Sequence, residues 1–312
     1  GSSGLQLLLQ LVQELPVGAV GEDLLRCRAT TRRGCVGRAA GRILGTMKTP
    51  DAFFVADGAR FVATRHTQWP WGPGYQHAGP PAALLARAIQ RVIADDPALR
   101  ITRLTMELLA PAPITVLDVA TSVLRAGKKV RRVEATLSAA GKAFCRATAL
   151  CVRTASVVLT APPEDRRERM PPPEAGEPYV FGVVTGEVVG YAAAVEARRV
   201  KGGFGVNPTA VWIRPRVPLV LGEPLSPLAR VLIAADSGNG SAVVLDPRQF
   251  TFVNADLTVA LHRELEGEWV CLEASTWPEP TGVGLTESRL HDARGPIGWA
   301  LQSLIVESRP TG

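Results

Sequence analysis

The apolar and polar residues after Gly79 alternate with the period of an amphipathic α-helix. Pro80 and Pro81 open this run, and charged or amide side chains fall outside its apolar stripe. The stripe consists of Leu84, Leu85, Ala88, Ile89, Val92 and Ile93. The pattern therefore predicts one helix over residues 80–95, with its apolar face packed against another element.

After this helix the pattern changes to the short apolar segments that are typical of β-strands. Turns that contain proline or glycine separate four such segments. The segments span residues 101–110, 115–126, 130–139 and 143–153. Ahead of the helix, residues 52–64 read as one or two further short strands. Consecutive strands joined by short turns predict an antiparallel meander.

The second half of the chain repeats this order of elements. A Ser-Pro pair opens a second helical pattern over residues 226–236, after two strand-like segments. Six segments of this half read as strands, namely 190–200, 208–216, 250–263, 268–277, 283–292 and 296–307. The repeat predicts an α+β fold of two tandem units, each a curved antiparallel sheet wrapped around one central helix, which is a double hotdog.

Shifts in composition divide the chain into four parts. Residues 47–155 form the first predicted unit and residues 186–309 the second. Residues 156–185 are rich in Pro, Glu and Arg, which predicts a linker. Residues 1–46 form an N-terminal extension that begins with "GSSG", which resembles the remnant of an expression tag, and Met47 would make a natural start.

The charge and hydropathy of the chain narrow the class of protein. The 312 residues are 46% hydrophobic, which is enough for two buried cores, and the formal net charge is +6. Because no long basic block alternates with aromatic residues, we expect a small anionic ligand and no nucleic-acid partner. The apolar stretch "LQLLLQLV" is too short to span a bilayer, so we expect no membrane insertion.

The cysteines and histidines predict a reduced, cytoplasmic protein without a metal. The five cysteines are odd in number and lack the spacing of metal ligands. They are Cys27, Cys35, Cys145, Cys151 and Cys271. With only four histidines and no cluster of ligand residues, we expect neither a metal nor a bound cofactor.

Several motifs resemble those of one known family. Residues 53–153 contain "YQHAGPPAALLARAI", "RLTMELLAPAPI" and "VEATLSAAGKAFCRATALCVR". Residues 186–308 contain "PLVLGEPLSPLARVLIAADSGNG", "FTFVNADLTVALHR" and "GWALQSLIVE". These segments resemble the N-terminal and C-terminal hotdogs of the acyl-CoA thioesterase II-like family, in the form common among actinobacterial members. The resemblance covers most of the chain after Met47.

The resemblance also implies three catalytic residues. In the family an Asp at the end of the second-domain helix, a Thr on the following strand and a Gln on the last strand orient a water against the thioester carbonyl. The matching motifs assign these roles to Asp236, Asn254 and Gln302. Asn254 departs from the family pattern, because an amide can hold a water but lacks the hydroxyl group.

These residue types suit thioester hydrolysis. A thioester is already activated, so its hydrolysis needs a positioned water, a carboxylate that takes the proton and donors for the developing oxyanion. Asp236 is the predicted base. The predicted substrate-binding residues are His77, Gly79 and Ala82. Backbone N–H groups at the start of the first helix, those of Gly79 and Ala82 among them, would stabilise the oxyanion.

Single residues also have simpler interpretations. Asp236 could cap a helix end, and Gln302 could be a buried amide bonded to the backbone. For His77 a structural hydrogen-bonding role is favoured over that of a base. Trp69 and Trp71 either cover the start of the helix or line an acyl tunnel, and covering is favoured.

The sequence therefore predicts an acyl-CoA thioesterase that converts a fatty acyl-CoA to the free acid and coenzyme A. A non-catalytic acyl-CoA binding or sensing protein is the alternative, and the departure at Asn254 favours it. A hotdog hydratase ranks lower, because such enzymes place an Asp and a His together and no such pair is evident in the sequence. Sheets of this kind commonly associate by their edges, so a homo-oligomer is an open expectation.

Overall fold

An antiparallel β-sheet and a few helices make up the structure. The computed structural model describes residues 51–69, 72, 74–160, 169–181 and 188–309. The predicted N-terminal extension and Trp71 lie outside the described residues. So do residues 161–168 and 182–185 of the predicted linker and residues 186–187 of the second predicted unit.

Fourteen strands in the described part of the chain hydrogen-bond into one sheet. In the first half they are β1 (Phe54–Asp57), β2 (Arg60–Ala63), β3 (Leu99–Leu108), β4 (Val116–Ala126), β5 (Val130–Ala139) and β6 (Lys142–Arg153). In the second half they are β7 (Glu177–Pro178), β8 (Val195–Lys201), β9 (Thr209–Pro215), β10 (Phe250–Asn254), β11 (Asp256–Leu261), β12 (Val270–Pro278), β13 (Val283–Asp292) and β14 (Gly295–Ser308). The strand order is β1-β2-β4-β5-β6-β3-β11-β14-β13-β12-β9-β8-β7, and β10 pairs with β14 off this path.

The strand order corrects the predicted meander. Strand β3 pairs with β6 rather than with the next strand, β4. The reason is that the connection between β3 and β4 does not turn straight back along the sheet. It bonds instead to the segment ahead of the first helix, where the Gln76 N–H donates to the Ala112 carbonyl and the Ile114 N–H to the Gly74 carbonyl. Of the four strands predicted to follow the first helix, β4, β5 and β6 form a consecutive antiparallel run.

Strands β3 and β11 join the two halves of the chain. They pair antiparallel, with Thr105 opposite Thr258 and Met106 opposite Leu257. The hydroxyl groups of the two threonines also hydrogen-bond at 3.1 Å. The sheet is therefore continuous from one half of the chain to the other.

Four α-helices lie in the described residues. They are α1 (Gly79–Val92), α2 (Tyr191–Ala194), α3 (Pro227–Ala235) and α4 (Gly238–Ser241), and Arg65–Thr67 and Pro173–Ala175 form single 3-10 turns. Helix α1 packs against β3, β4, β5 and β6, whereas α3 packs against β9 and β12. The two helices also pack against each other. Both predicted long helices are therefore present, and they share one core.

Helix α1 is buried on all sides in its first half rather than along one stripe. Residues 79–86 are all buried, because the helix lies between the sheet and α3. The first partly exposed side chain is that of Arg87. The helix ends at Val92 rather than at residue 95, since Ile93 leaves the helical conformation with a ψ of 5°.

Helix α3 begins with a side-chain cap and ends at Asp236. The Oγ atom of Ser226 accepts a hydrogen bond from the Ala229 N–H at 3.2 Å, which satisfies one free donor of the first turn. Pro227 is the first helical residue and has no N–H to satisfy. Asp236 follows the last helical residue, so local chemistry sets both ends of α3.

Two segments of the second half differ from the predicted strands. Residues 190–200 begin with the single helical turn α2 instead of a strand, and Tyr191 in this turn is fully buried. Residues 250–263 form two strands, and Ala255 separates them by bonding to β14 through its N–H and to β3 through its carbonyl. This interruption leaves Asn254 at the end of β10.

The described part of the predicted linker packs against the second half of the chain. Strand β7 pairs with β8. Phe181 is buried, and the Tyr179 hydroxyl donates to the Gly240 carbonyl at 2.7 Å. Residues 169–181 are therefore part of the packed structure rather than a free tether.

The three cysteines in the described residues are buried and unbonded, as predicted. Burial raises the pKa of the Cys151 thiol to about 11 and also raises the pKa values of Cys145 and Cys271. Because a thiol reacts as its thiolate, these are inert core side chains. Cys27 and Cys35 lie outside the described residues.

Replacement of Gly79 tests how closely α1 approaches α3. A Cβ atom at this position would lie 2.5 Å from the backbone carbonyl oxygen of Ile233. We expect Gly79→Ala to lower the free energy of unfolding by about 2 kcal/mol, because overpacking forces the helices apart. Gly74→Ala is the control, since a Cβ there meets no atom within 4 Å. Urea unfolding measures both, and equal stabilities would contradict this close approach.

Candidate active site

Asp236 is the centre of a buried polar cluster between α3 and α1. The residue is 4% exposed and directly follows α3. Its Oδ2 atom accepts a hydrogen bond from the Gly79 N–H at 3.0 Å and lies 3.1 Å from His77 Nδ1. The cluster therefore connects the end of one helix with the start of the other.

Two side-chain amides contact the other carboxylate oxygen of Asp236. Asn254 donates through Nδ2 to Oδ1 at 2.9 Å. Gln302 on β14 directs its Nε2 atom to the same oxygen at 3.3 Å and to the Asp236 backbone carbonyl at 3.1 Å. The Oε1 atom of Gln302 accepts from the Asn239 N–H at 3.1 Å. Asn254 and Gln302 thus each contact Asp236, the third of the predicted catalytic residues, directly.

A carboxylate at the end of α3 needs donors around it. The C-terminus of a helix carries partial negative charge, whereas the N–H groups at an N-terminus carry partial positive charge. Pro80 and Pro81 have no N–H, so Gly79 contributes the free donor among the first three residues of α1. This donor and the two side-chain amides compensate the buried negative charge.

His77 is buried beside Asp236 and is neutral near neutral pH. Burial lowers the pKa of His77 to about 4, and the nearby carboxylate of Asp236 opposes this shift only in part. The imidazole stacks on the Tyr191 ring with 3.6 Å between centroids, and the Trp69 ring lies 4.7 Å away. These aromatic neighbours exclude water from the imidazole.

Two contacts hold the Nδ1 side of the His77 ring. The Gly79 N–H is directed at Nδ1 from 3.2 Å, and Asp236 Oδ2 lies 3.1 Å from the same nitrogen. The Nε2 atom lies 3.4 Å from the Ser237 hydroxyl, which is 2.8 Å from the Tyr191 hydroxyl. The imidazole is therefore held from both sides and keeps Asp236 in place.

A cavity of about 130 Å³ opens beside this cluster. Asp236, His77 and Asn254 are among the residues of its wall. The rest of the wall is largely apolar and includes Trp69, Leu108, Ala110, Pro111 and Ala112. A ligand in this cavity would meet the carboxylate in surroundings of low polarity, where electrostatic interactions are strong.

A second cavity, of about 260 Å³, adjoins the first. The two cavities share Trp69, Asn239 and Phe252 in their walls. Further aromatic side chains of the second cavity are Tyr179, Phe181 and Phe204. An aromatic cavity next to a polar cluster suits a ligand with an apolar chain and a reactive polar group. Trp69 therefore covers His77 and also lines both cavities.

The two backbone donors predicted for the oxyanion are engaged elsewhere. The Gly79 N–H donates to Asp236, and the Ala82 N–H donates to the Ala78 carbonyl at 3.0 Å. Ala82 is also fully buried and lines neither cavity. In this structure neither N–H is available to a ligand in the cavity, because the buried carboxylate uses one donor and the helix uses the other.

His77 pairs with Asp236, which corrects the expectation that no such pair exists. The two residues are distant in the sequence, and only the packing of α3 against the start of α1 brings them together. The imidazole and the carboxylate face each other rather than a common ligand. The pair therefore does not present two separate acid and base groups to a substrate.

Sequence reasoning missed three residues of the cluster. Asn239 lines both cavities, and Ser237 and Tyr191 hold the imidazole of His77. Ser237 and Asn239 follow Asp236 in the motif "DSGNG", which was a usable signal. No motif pointed to Tyr191, because the sequence around it has the pattern of a strand.

Two further kinds of feature are absent from the described part of the chain. No group of three His, Cys, Asp or Glu side chains in that part is arranged to hold a metal ion. None of the described helices is long and apolar enough to cross a membrane. The chemistry that the cluster can perform is that of one carboxylate, one neutral imidazole and several amides.

Two family models match the sequence of the chain. Residues 67–154 match the model described as the acyl-CoA thioesterase N-terminal domain. Residues 163–306 match the model described as the acyl-CoA thioesterase C-terminal domain. Together the two matches cover more than half of the chain. No curated protein matches it significantly in sequence.

Solved structures are similar to this chain at low sequence identity. A conserved protein with a hot dog fold from Alicyclobacillus acidocaldarius has a TM-score of 0.61 and 17% identity, over 84% of this chain and 98% of that one. A TesB protein from Mycobacterium avium has a TM-score of 0.58 and 16% identity, over 81% and 95%. An acyl-CoA thioesterase II from Mycobacterium marinum has a TM-score of 0.57 and 15% identity, over 75% and 91%. These likenesses establish a hotdog fold.

The buried neutral His77 predicts a pH dependence of stability. The unfolded chain binds a proton on this residue near its ordinary pKa of 6.5, whereas the folded chain does so only near 4. Acidification within this window therefore favours unfolding. From about pH 7 to about pH 5 we expect His77 to lower the free energy of unfolding by about 2 kcal/mol. Urea unfolding of the wild type and His77→Gln measures this, because only the wild type carries this contribution. A stability difference that does not change with pH would show that His77 is not buried in neutral form.

Proposed function

Because the chain belongs to the acyl-CoA thioesterase family, we propose that it hydrolyses fatty acyl-CoA to the free acid and coenzyme A by direct attack of water. That it is a thioester hydrolase follows from the family. The observation that carries the proposal is the buried Asp236 carboxylate, surrounded by donors at the wall of a largely apolar cavity.

We further propose that the fold is a double hotdog with units over residues 47–155 and 186–309. Support comes from the packing of α1 against the sheet of the first half and of α3 against strands of the second. The antiparallel pair β3 and β11 is the seam between the units. In this arrangement residues 156–185 connect the units.

Asp236 acts as the general base. A water in the first cavity donates one hydrogen to the Asp236 carboxylate and the other to Asn254 Oδ1, an atom that accepts no hydrogen bond from the described residues. The water oxygen attacks the thioester carbonyl carbon while its proton passes to Asp236. When the tetrahedral intermediate collapses, the C–S bond breaks and the proton returns to the thiolate. The acid and the free thiol are then the products.

The remaining residues of the cluster hold the base and the oxyanion. Gln302 lines neither cavity and bonds to Asp236, so its role is to position the base. Gly79 and His77 do the same from the start of α1. Asn239 provides the oxyanion donor, because its Nδ2 carries two hydrogens and makes one long contact, at 3.4 Å, with a backbone carbonyl.

The acyl chain occupies the second, aromatic cavity. This cavity adjoins the first through Trp69, Asn239 and Phe252, so a chain can extend into it from a carbonyl beside Asp236. Each buried methylene group contributes roughly 0.8 kcal/mol of binding free energy. The apolar wall therefore favours a fatty acyl group over a short polar one.

A non-catalytic acyl-CoA binding protein and a hydratase are the competing interpretations. Asn254 and the close packing of donors around Asp236 favour the binding protein. The pair of His77 and Asp236 favours the hydratase. The imidazole points its second nitrogen to Ser237 rather than into a cavity, so it is not free to exchange a proton with a substrate.

Substitution of Asp236 by asparagine tests the base. The amide keeps the size of the side chain but cannot take a proton, so we expect thiol release from acyl-CoA to fall by about 100-fold or more. Binding of a non-hydrolysable acyl-CoA thioether should be retained. The melting temperature should fall, because the new NH2 group faces donors that both carboxylate oxygens had accepted from. Asp57→Asn is the matched control, because Asp57 is an exposed carboxylate that pairs with Arg60. Turnover that survives in Asp236→Asn would assign the base elsewhere, and binding without turnover in the wild type would support the binding protein.

Substitution of Gly240 by leucine tests the acyl cavity. A Cβ atom here makes ordinary contacts of 3.5 Å with Phe181 and 3.8 Å with Trp69, so a longer side chain fills the cavity without disturbing the backbone. We expect kcat/KM for long acyl chains to fall by roughly tenfold or more, with little change for acetyl-CoA. Gly240→Ala is the control for loss of the glycine itself. An equal loss for every chain length would refute this assignment.

A further inference from the structure

Gln76 is held rigidly at the wall of the first cavity. The residue is 7% exposed, and it lies directly before His77. Its backbone N–H donates to the Ala112 carbonyl at 2.8 Å, and its side-chain Nε2 donates to the Pro113 carbonyl at 2.6 Å. Both bonds reach the connection between β3 and β4, so this segment fixes the side chain.

These bonds determine which atom of the Gln76 amide is the nitrogen and which is the oxygen. The Pro113 carbonyl can only accept, so the nitrogen of the amide must face it. The Oε1 atom is buried, and it has no hydrogen-bond partner in the described part of the chain. A buried oxygen without a donor is unfavourable, so a ligand that brings an N–H to it binds more tightly.

In the proposed function the acyl chain occupies the aromatic cavity, so the thiol side of the thioester extends into the first cavity. Gln76 lines this first cavity together with Asp236 and Asn254. In coenzyme A the sulfur is followed by two carbons and then by an amide N–H. An acyl-CoA whose carbonyl lies beside Asp236 therefore carries an N–H donor within a few bonds of the reacting carbon.

We propose that Gln76 Oε1 accepts a hydrogen bond from the amide N–H nearest the sulfur of the substrate thiol. The chain then selects thioesters of thiols that carry this amide and discriminates against thioesters of simple alkyl thiols. A site built to bond an N–H rejects an analogue without it, because its buried acceptor stays unpaired. This inference rests on the proposed function, which assigns the two cavities to the thiol and acyl sides.

The test uses two thioethers that differ in one group. S-octyl-N-acetylcysteamine carries the amide, and its ester analogue replaces the N–H by oxygen and leaves the shape almost unchanged. Calorimetry of the wild type should give a dissociation constant about tenfold lower for the amide, which corresponds to about 1.4 kcal/mol. In Gln76→Met the two thioethers should bind equally, and the ester should bind as it does to the wild type.

Equal binding of the two thioethers to the wild type would overturn the inference, and this result needs no variant. A preference that persists in Gln76→Met would overturn it as well. Gln68→Met is the matched control, because Gln68 lies opposite Gln76 in an isolated bridge but lines neither cavity. Thiol release from octanoyl-CoA, measured in parallel, reports the proposed function separately, since the thioethers test binding without turnover.

Discussion

The hydrogen bond between the Asp236 carboxylate and the Gly79 N–H is the interaction on which the site depends. A carboxylate that is removed from water must find donors in the protein, and the end of a helix offers carbonyl groups instead. Here the start of α1 contributes the missing donor. The side-chain amides of Asn254 and Gln302 complete the set. Because these donors come from both halves of the chain, the charge is compensated only when the two halves are packed together.

The same interaction explains the unusual start of α1. Gly79 is required there because the Ile233 carbonyl occupies the space that a side chain would take. Pro80 and Pro81 follow, and they bring no N–H that a buried environment would have to satisfy. The helix therefore begins with one available donor, and the carboxylate uses it. The close approach of two helices and the placement of the Asp236 carboxylate are two results of one short motif.

The surroundings of Asp236 combine a polar cluster with the largely apolar walls of two cavities. The polar cluster lies where two apolar cavities meet, so a thioester there would have its acyl and thiol sides in different environments. Neutral His77 packs against Asp236 without adding a charge to the site. Gln76 is positioned by the connection between β3 and β4, which bonds to the segment ahead of α1 instead of forming a hairpin. The non-consecutive strand order thereby shapes the cavity as well as the sheet.

The sequence by itself determined the two long helices, most of the strands and the grouping of Asp236 with Asn254 and Gln302. Helical and strand periods depend on neighbours along the chain, and the motifs carried the three residues together by resemblance. Tertiary structure alone decided the pairing of β3 with β6, the break at Ala255 and the contact of Asp236 with α1. Gly79 and Asp236 are 157 positions apart, so no local pattern encodes their contact. It arises because a buried charge requires donors, and folding decides which backbone and side-chain groups are close enough to provide them.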